Sequence, residues 1–172
     1  MSLNKVAILG GNRIPFARSN GVYADANNID MLTAALDGLV ARFDLADKQI
    51  GEVVAGTVLK HSRDLNLTRE AVLNTQLPAT TPAYDISQAC GTGLQAAFAV
   101  ANKIALGLID NGIAGGTDTT SDAPIALGDG LRKPLLRLGN AKTAKQKLSA
   151  LSTINPKDLL AFPQNGEPRT RL

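Results

Sequence analysis

The stretch over residues 90–106 constrains the fold of this chain more than any other. Leu94, Ala96, Ala97, Phe98, Ala99, Val100, Ala101, Ile104, Ala105 and Leu106 leave almost no polar stripe on a helix drawn through it. A helix that is apolar all round has to be covered all round. It does not span a membrane, because the longest uncharged run, residues 86–102, is interrupted by Ser87, Gln88, Thr92 and Gln95 and stays below the length a spanning helix needs. A sheet covers one face only. In a chain of 172 residues the other face calls for a second layer, so the sequence predicts either an oligomer partner or an incomplete chain. The many Ala and Gly residues add that whatever packs there comes close.

The surrounding pattern alternates strand and helix, which predicts a mostly parallel sheet covered by helices. Val6-Ala7-Ile8-Leu9 reads as a first strand, ended by Gly10-Gly11. Residues 30–43 repeat apolar side chains at three- and four-residue steps and read as a helix. Residues 53–58 supply a second strand, residues 67–77 a helix, residues 83–87 a third strand after Pro78 and Pro82, and residues 112–116 a fourth. Beyond Pro124 one helix over residues 135–148 is expected, then loop from Pro156.

Charge is split along the chain. Residues 1–130 carry nine Lys/Arg against thirteen Asp/Glu, a net of −4, whereas residues 131–172 carry nine against two, a net of +7. A basic segment of this kind suits a phosphorylated small molecule, an anionic surface or a solvated face. Nucleic acid is the weakest of the partners such a segment could meet, and none is expected, since Phe162 is the sole aromatic after residue 131 on which a base would stack. With a single cysteine, Cys90, no disulfide scaffold is available, and a reducing compartment fits. The first residues lack the apolar block of a secretory signal, and no membrane insertion is predicted, so the sequence reads as cytoplasmic.

Cys90 lies where the third strand meets the long helix, in Ser87-Gln88-Ala89-Cys90-Gly91-Thr92-Gly93. Backbone N–H groups at a helix start, together with the helix dipole, favour a thiolate and hence a nucleophile. The same N–H groups suit a carbonyl oxygen as it becomes an oxyanion. A buried inert cysteine is the plainer reading, but Gly91 and Gly93 clear space around the sulfur that a space-filling thiol does not need. A rival reading takes Gly91-Thr92-Gly93-Leu94-Gln95-Ala96 as the G-x-G-x-x-[G/A] fingerprint of dinucleotide binding. The acidic residue that should follow is misplaced, because Asp110 precedes the next strand and Asp118 comes 27 positions after the first glycine.

Three segments in order resemble the thiolases, which make or break carbon–carbon bonds in acyl-coenzyme A thioesters. Asn12-Arg13-Ile14-Pro15-Phe16 is similar to the family's R-T-P-F segment, and Cys90-Gly91-Thr92-Gly93-Leu94-Gln95-Ala96 to its C-G-S-G-x-Q-A nucleophile motif. Ala114-Gly115-Gly116-Thr117-Asp118-Thr119-Thr120-Ser121 lies where A-G-G-x-E-S-M-S is usual. Ser87 stands in place of the usual Asn, and Asp118-Thr119-Thr120 in place of Glu-Ser-Met. With residues 121–125, Arg137, Asn140-Ala141-Lys142 and Gln146-Lys147-Leu148, these departures resemble the β-subunits of fatty-acid oxidation complexes.

The resemblance implies an α/β fold of the thiolase N-terminal half: a mostly parallel, mixed sheet with helices on both faces, ending inside the loop domain. Residues 1–122 would form the core with strands one to four, and residues 123–172 the start of the substrate-binding loop domain. It implies Cys90 as the nucleophile that forms an acyl-enzyme, with coenzyme A or acyl-CoA as substrate, no tightly bound cofactor and no metal. Arg132 and Lys133 would lie near the coenzyme A phosphates. Thiolases also use a histidine base and a second cysteine from a repeated second half. The only histidine here, His61, matches neither position and reads as an exposed loop residue. The expectation is therefore the N-terminal portion of a longer enzyme, inactive alone, forming a homodimer or larger assembly through residues 83–87, with a hydratase/dehydrogenase α-subunit as a further partner. A stand-alone binding or assembly module on the same fold is the non-enzyme alternative.

Overall fold

A computed structural model describes residues 3–125 and 127–159. The chain divides into two compact units, Met1–Pro124 and Ile125–Leu172. In the first unit the elements run α1 (Asn28–Phe43), β1 (Val53–Ala55), α2 (Leu67–Leu73), β2 (Ala83–Asp85), α3 (Thr92–Ala105) and β3 (Ile113–Ala114). The three strands form one parallel sheet in the order β2-β1-β3, with Val53 opposite Ala83 and Ile113.

Alternation along β1 sorts the layers, since successive side chains of a strand point to opposite faces. Val53 and Ala55 join Leu32, Leu36 and Val40 of α1 and Leu67, Ala71 and Val72 of α2 in one core. Val54 faces the other way, into a smaller core with Ala96 and Val100 of α3. Helices thus cover both faces of the sheet. The helix α1 is started by a capping box, in which the Asn27 side chain accepts the Asp30 N–H and the Asp30 carboxylate accepts the Asn27 N–H. Near its C-terminal end α3 is pinned by Lys103, whose ammonium binds the buried Glu52 carboxylate beside β1 and lies 5.2 Å from the centre of the Tyr84 ring. The bond to Glu52 raises the Lys103 pKa against the opposing effect of burial.

Two expectations are corrected here. Val6-Ala7-Ile8-Leu9 pairs with no strand among the described residues, and Ile8 and Leu9 are 93% and 88% exposed. The segment is tied only near its ends, where the Asn4 N–H donates to Ala105 C=O and Asn12 Nδ2 donates to Ala35 C=O. Apolar alternation supplies side chains for a strand but not the neighbouring backbone a strand requires. The long helix begins at Thr92 rather than at Cys90, and its outer side is bare, with Leu94 63% and Phe98 53% exposed.

The second unit is a helical cluster of α4 (Asp129–Asn140), α5 (Ala144–Ser152) and α6 (Pro156–Leu159). The single helix expected over residues 135–148 is broken at residues 141–143. Ala141 turns extended, and Thr143 restarts the chain with a capping box in which its hydroxyl accepts the Gln146 N–H. The loop expected from Pro156 begins instead with α6, and residues 160–172 lie outside the described residues. No described helix is long and apolar enough to cross a membrane.

Asp85, the last residue of β2, ties the layers of the first unit together. Its Oδ2 accepts from Lys60 Nζ at 2.7 Å and Leu67 N–H at 3.0 Å, and its Oδ1 accepts from Thr68 N–H at 2.7 Å. Burial works to raise the Asp85 pKa, but the Lys60 ammonium and the two N–H donors outweigh it, and the net shift is downward from 3.8. A carboxylate lowered by folding contributes stability that is complete above its unfolded value and is lost as pH falls through the folded value. Asp85→Asn should therefore cost about 1–2 kcal/mol in urea unfolding at pH 7 and flatten the loss of stability below pH 3.8. An unchanged acid limb would contradict this account.

Candidate active site

The chain leaves β2 at Asp85 and enters α3 at Thr92, and the intervening residues form a tight elbow. Gly91 N–H donates to Gln88 C=O at 2.9 Å, and Thr92 N–H donates to Ala89 C=O at 3.1 Å. Ala89 sits at φ +43°, in the left-handed region that a residue with a Cβ seldom enters. Cys90 stands at the crest of this elbow, free and exposed. The thiol is thus not buried within this chain. Two of the N–H groups expected to receive an oxyanion, those of Gly91 and Thr92, are spent closing the elbow. Gly93 has no heavy atom within 4 Å of where a Cβ would sit, so the approach is open on that side.

The loops around the elbow are held by carboxylates. Asp118 accepts from Thr57 Oγ1 at 2.8 Å, Val58 N–H at 2.8 Å and Leu59 N–H at 2.9 Å. Both of its oxygens are engaged within the protein, which removes it as the ribose ligand that dinucleotide binding would need. The sequence showed Asp118 only as a departure from a motif, and nothing in its spacing announced this bracing role. His61 is not the exposed residue expected. It is partly buried, with Nε2 2.9 Å from Asp122 C=O and 3.2 Å from Asp122 Oδ2, and Arg63 reaches the same Oδ2 at 3.6 Å.

Arg132 and Lys133 lie on the first turns of α4 in the second unit, and both reach Asp129, at 2.7 and 2.9 Å. Lys133 first, then Arg132, lowers the Asp129 pKa. Part of the positive charge counted in the sequence is therefore met locally. A cleft of about 620 Å³ in the first unit is lined by Arg13, Phe16, Tyr23, Met31 and Thr119 among others, and Cys90 is not on its wall.

An open parallel sheet with helices on both faces, and an exposed cysteine on a strand-to-helix elbow, define the class as α/β. Sequence comparison narrows the class. The family described as "Thiolase, N-terminal domain" matches residues 6–157, and the chain belongs to the thiolase family. It is 40% identical over 159 residues to a 3-ketoacyl-CoA thiolase of Vibrio cholerae serotype O1, covering 92% of this chain and 37% of that protein. To a 3-ketoacyl-CoA thiolase of Photobacterium profundum it is 38% identical, covering 92% of this chain and 36% of that protein. The acetyl-CoA acetyltransferase of Bacillus anthracis superposes with a TM-score of 0.70 at 27% identity, over 74% of this chain and 32% of its own. The chain thus spans about a third of the length of these relatives.

Proposed function

We propose that this chain carries the nucleophile of an acyl-CoA C-acyltransferase and that Cys90 is that nucleophile. The observation that carries the reading is the exposed thiol on the elbow between β2 and α3, inside Cys90-Gly91-Thr92-Gly93-Leu94-Gln95-Ala96. The names of the relatives support the substrate class, 3-ketoacyl-CoA or acetyl-CoA thioesters.

In the first half-reaction the Cys90 thiolate adds to the carbonyl carbon of an acyl-CoA. The carbon–sulfur bond to coenzyme A then breaks, and coenzyme A leaves as a thiolate that takes up a proton. With a 3-ketoacyl-CoA the thiolate adds to the keto carbon instead. The carbon–carbon bond then breaks, and acetyl-CoA leaves with the electron pair and a proton. Either route gives the same kind of thioester on Cys90, so one hard step becomes two easier ones. The second half-reaction needs a base and an acid placed at the second substrate. The chain holds one cysteine and one histidine, and His61 is engaged by Asp122. These 172 residues alone are accordingly proposed to be acylated without turning over.

Incubation with acetyl-CoA followed by peptide mass spectrometry should show one acetyl group on Cys90, none on a Cys90→Ser variant, and no multiple turnovers in a thiolysis assay. An unmodified Cys90 would favour the binding or assembly module, and repeated turnover would overturn the inactivity of the chain alone.

For coenzyme A itself, Arg132 and Lys133 are proposed to contact phosphates, exchanging Asp129 for the ligand. The double variant R132Q/K133Q should bind coenzyme A about tenfold more weakly by calorimetry, in line with two lost charge-assisted contacts. Equal affinity would leave these side chains as a solvated face.

Assembly follows from the surfaces left bare. β2 is an edge strand of the sheet, and Leu94 and Phe98 line the outer side of α3. An open strand edge and an apolar stripe both favour association. A homodimer or larger assembly is proposed, with a hydratase/dehydrogenase α-subunit as a further partner. Sedimentation at micromolar concentration should show a dimer or larger, and a well-folded monomer would count against assembly.

A further inference from the structure

Thr92 does more than open a helix. It is buried, and its Oγ1 accepts the Gln88 N–H at 2.8 Å while donating to Ala89 C=O at 2.8 Å. With Gly91 N–H on Gln88 C=O and Thr92 N–H on Ala89 C=O, four hydrogen bonds enclose Cys90 between its neighbours. Two of the four belong to one hydroxyl. That hydroxyl is itself oriented by packing, because Thr92 Cγ2 is wedged beside Gly56, where an added Cβ would lie only 2.8 Å from it. With the methyl seated, χ1 is held and Oγ1 stays between Gln88 N–H and Ala89 C=O. The two peptides it grips are Ser87–Gln88 through its N–H and Ala89–Cys90 through its C=O, and between them Ala89 at φ +43° gives up backbone energy to stay in the left-handed region. Released from Thr92, the Ala89–Cys90 peptide has an easier conformation to relax into, and the Cα–Cβ direction of Cys90 turns with it.

On the reading of Cys90 as nucleophile, we infer that Thr92 is its positioning residue. The hydroxyl, not the mere presence of a helix start, fixes the direction in which the Cys90 sulfur meets an acyl carbonyl. The role differs from structural support in a measurable way. Attack on a thioester demands alignment, and displacements of about 1 Å can cost a hundredfold. A small alkylating agent in solution approaches an exposed thiol from many directions.

The test compares two reactions of the same sulfur. Thr92→Val keeps shape and methyl but removes both hydroxyl bonds. It should slow acetylation of Cys90 by acetyl-CoA about tenfold or more while changing iodoacetamide alkylation less than about twofold. Thr92→Ser restores the hydroxyl and should return acetylation to within about threefold of the parent. Acetylation of T92V at the parental rate overturns the inference. So does an equal fall in acetylation and alkylation, which marks Thr92 as purely structural, and so does failure of serine to rescue. If T92V does not fold, amide exchange in the parent serves instead: the Gln88 N–H should exchange at least about tenfold more slowly than in an unstructured peptide, and a random-coil rate overturns the hydroxyl bond. A parent whose Cys90 alkylates but never acetylates defeats the nucleophile reading and the positioning role with it. Parental acetylation with an indifferent T92V defeats the positioning role alone.

Discussion

A side chain at position 56 has nowhere to go. A Cβ on Gly56 would collide with the Ile86 carbonyl oxygen and press on Thr92 Cγ2, and a Cβ on Gly116 would in turn lie 2.8 Å from the Gly56 carbonyl oxygen. The carboxyl ends of the three parallel strands therefore close on one another through bare backbone. The chain leaving β2 passes this contact at Ile86 and enters α3 at Thr92 after the elbow of residues 86–91. The elbow with its left-handed Ala89 and exposed Cys90 starts from this contact, in which the one side chain is the Thr92 methyl. Open α/β sheets present ligand sites outside the carboxyl ends of their strands, and here those ends are packed at glycine to do so.

The crossover from β1 to α2 is braced by two carboxylates at its two ends. Asp118, beyond β3, holds residues 57–59, while Asp85, ending β2, holds Lys60 and the first N–H groups of α2. His61 and Arg63 add contacts from the same loop to Asp122. A loop fixed at both ends to neighbouring strands has little freedom to move relative to them. Preorganisation of this kind is what a nucleophile on a turn requires, because a hydroxyl bond such as that from Thr92 is useful only against a fixed frame. The histidine of the chain belongs to this bracing, which accounts for its partial burial far better than a place in proton transfer does.

The amphipathic period over residues 30–43 and the apolar runs before and after Pro82 were legible, because burial on one face leaves its mark on side-chain order. The strand–elbow–helix around Cys90 was legible too, through glycines flanking a lone thiol. Val6-Ala7-Ile8-Leu9 misled for a physical reason: strand formation is a property of two backbones, and one sequence of apolar residues carries information about only one of them. The break at residues 141–143 was there to be read, since Thr143-x-x-Gln146 is a capping box, but the apolar spacing through Leu135, Leu136, Leu138 and Leu148 masked it. Thr92 and Asp118 were not legible. Both look like ordinary polar positions until the chain folds and brings Gln88, Ala89 and residues 57–59 to them. The charge count also overstated the free cations, because Asp129 sits one turn before Lys133.

The surfaces left exposed share a cause with the inner ones. Val54 and Ala55 are buried because each face of β1 has a helix to meet, whereas Ile8, Leu9, Leu94 and Phe98 have formed their local backbone and found nothing beyond it. Hydrogen bonds within α3 are satisfied whether or not Leu94 is covered, so nothing local drives the helix to hide that side. Water does. At about 25 cal/mol per Å², a few hundred Å² of such surface amounts to several kcal/mol, which is comparable with the whole stability of a small domain. The Ala-rich composition of α3 puts small side chains beside Leu94 and Phe98, which leave room for a close backbone where large ones would not. The helix that begins two residues after the thiol thus keeps an apolar outer side, with Leu94 and Phe98 exposed close to the elbow that carries Cys90.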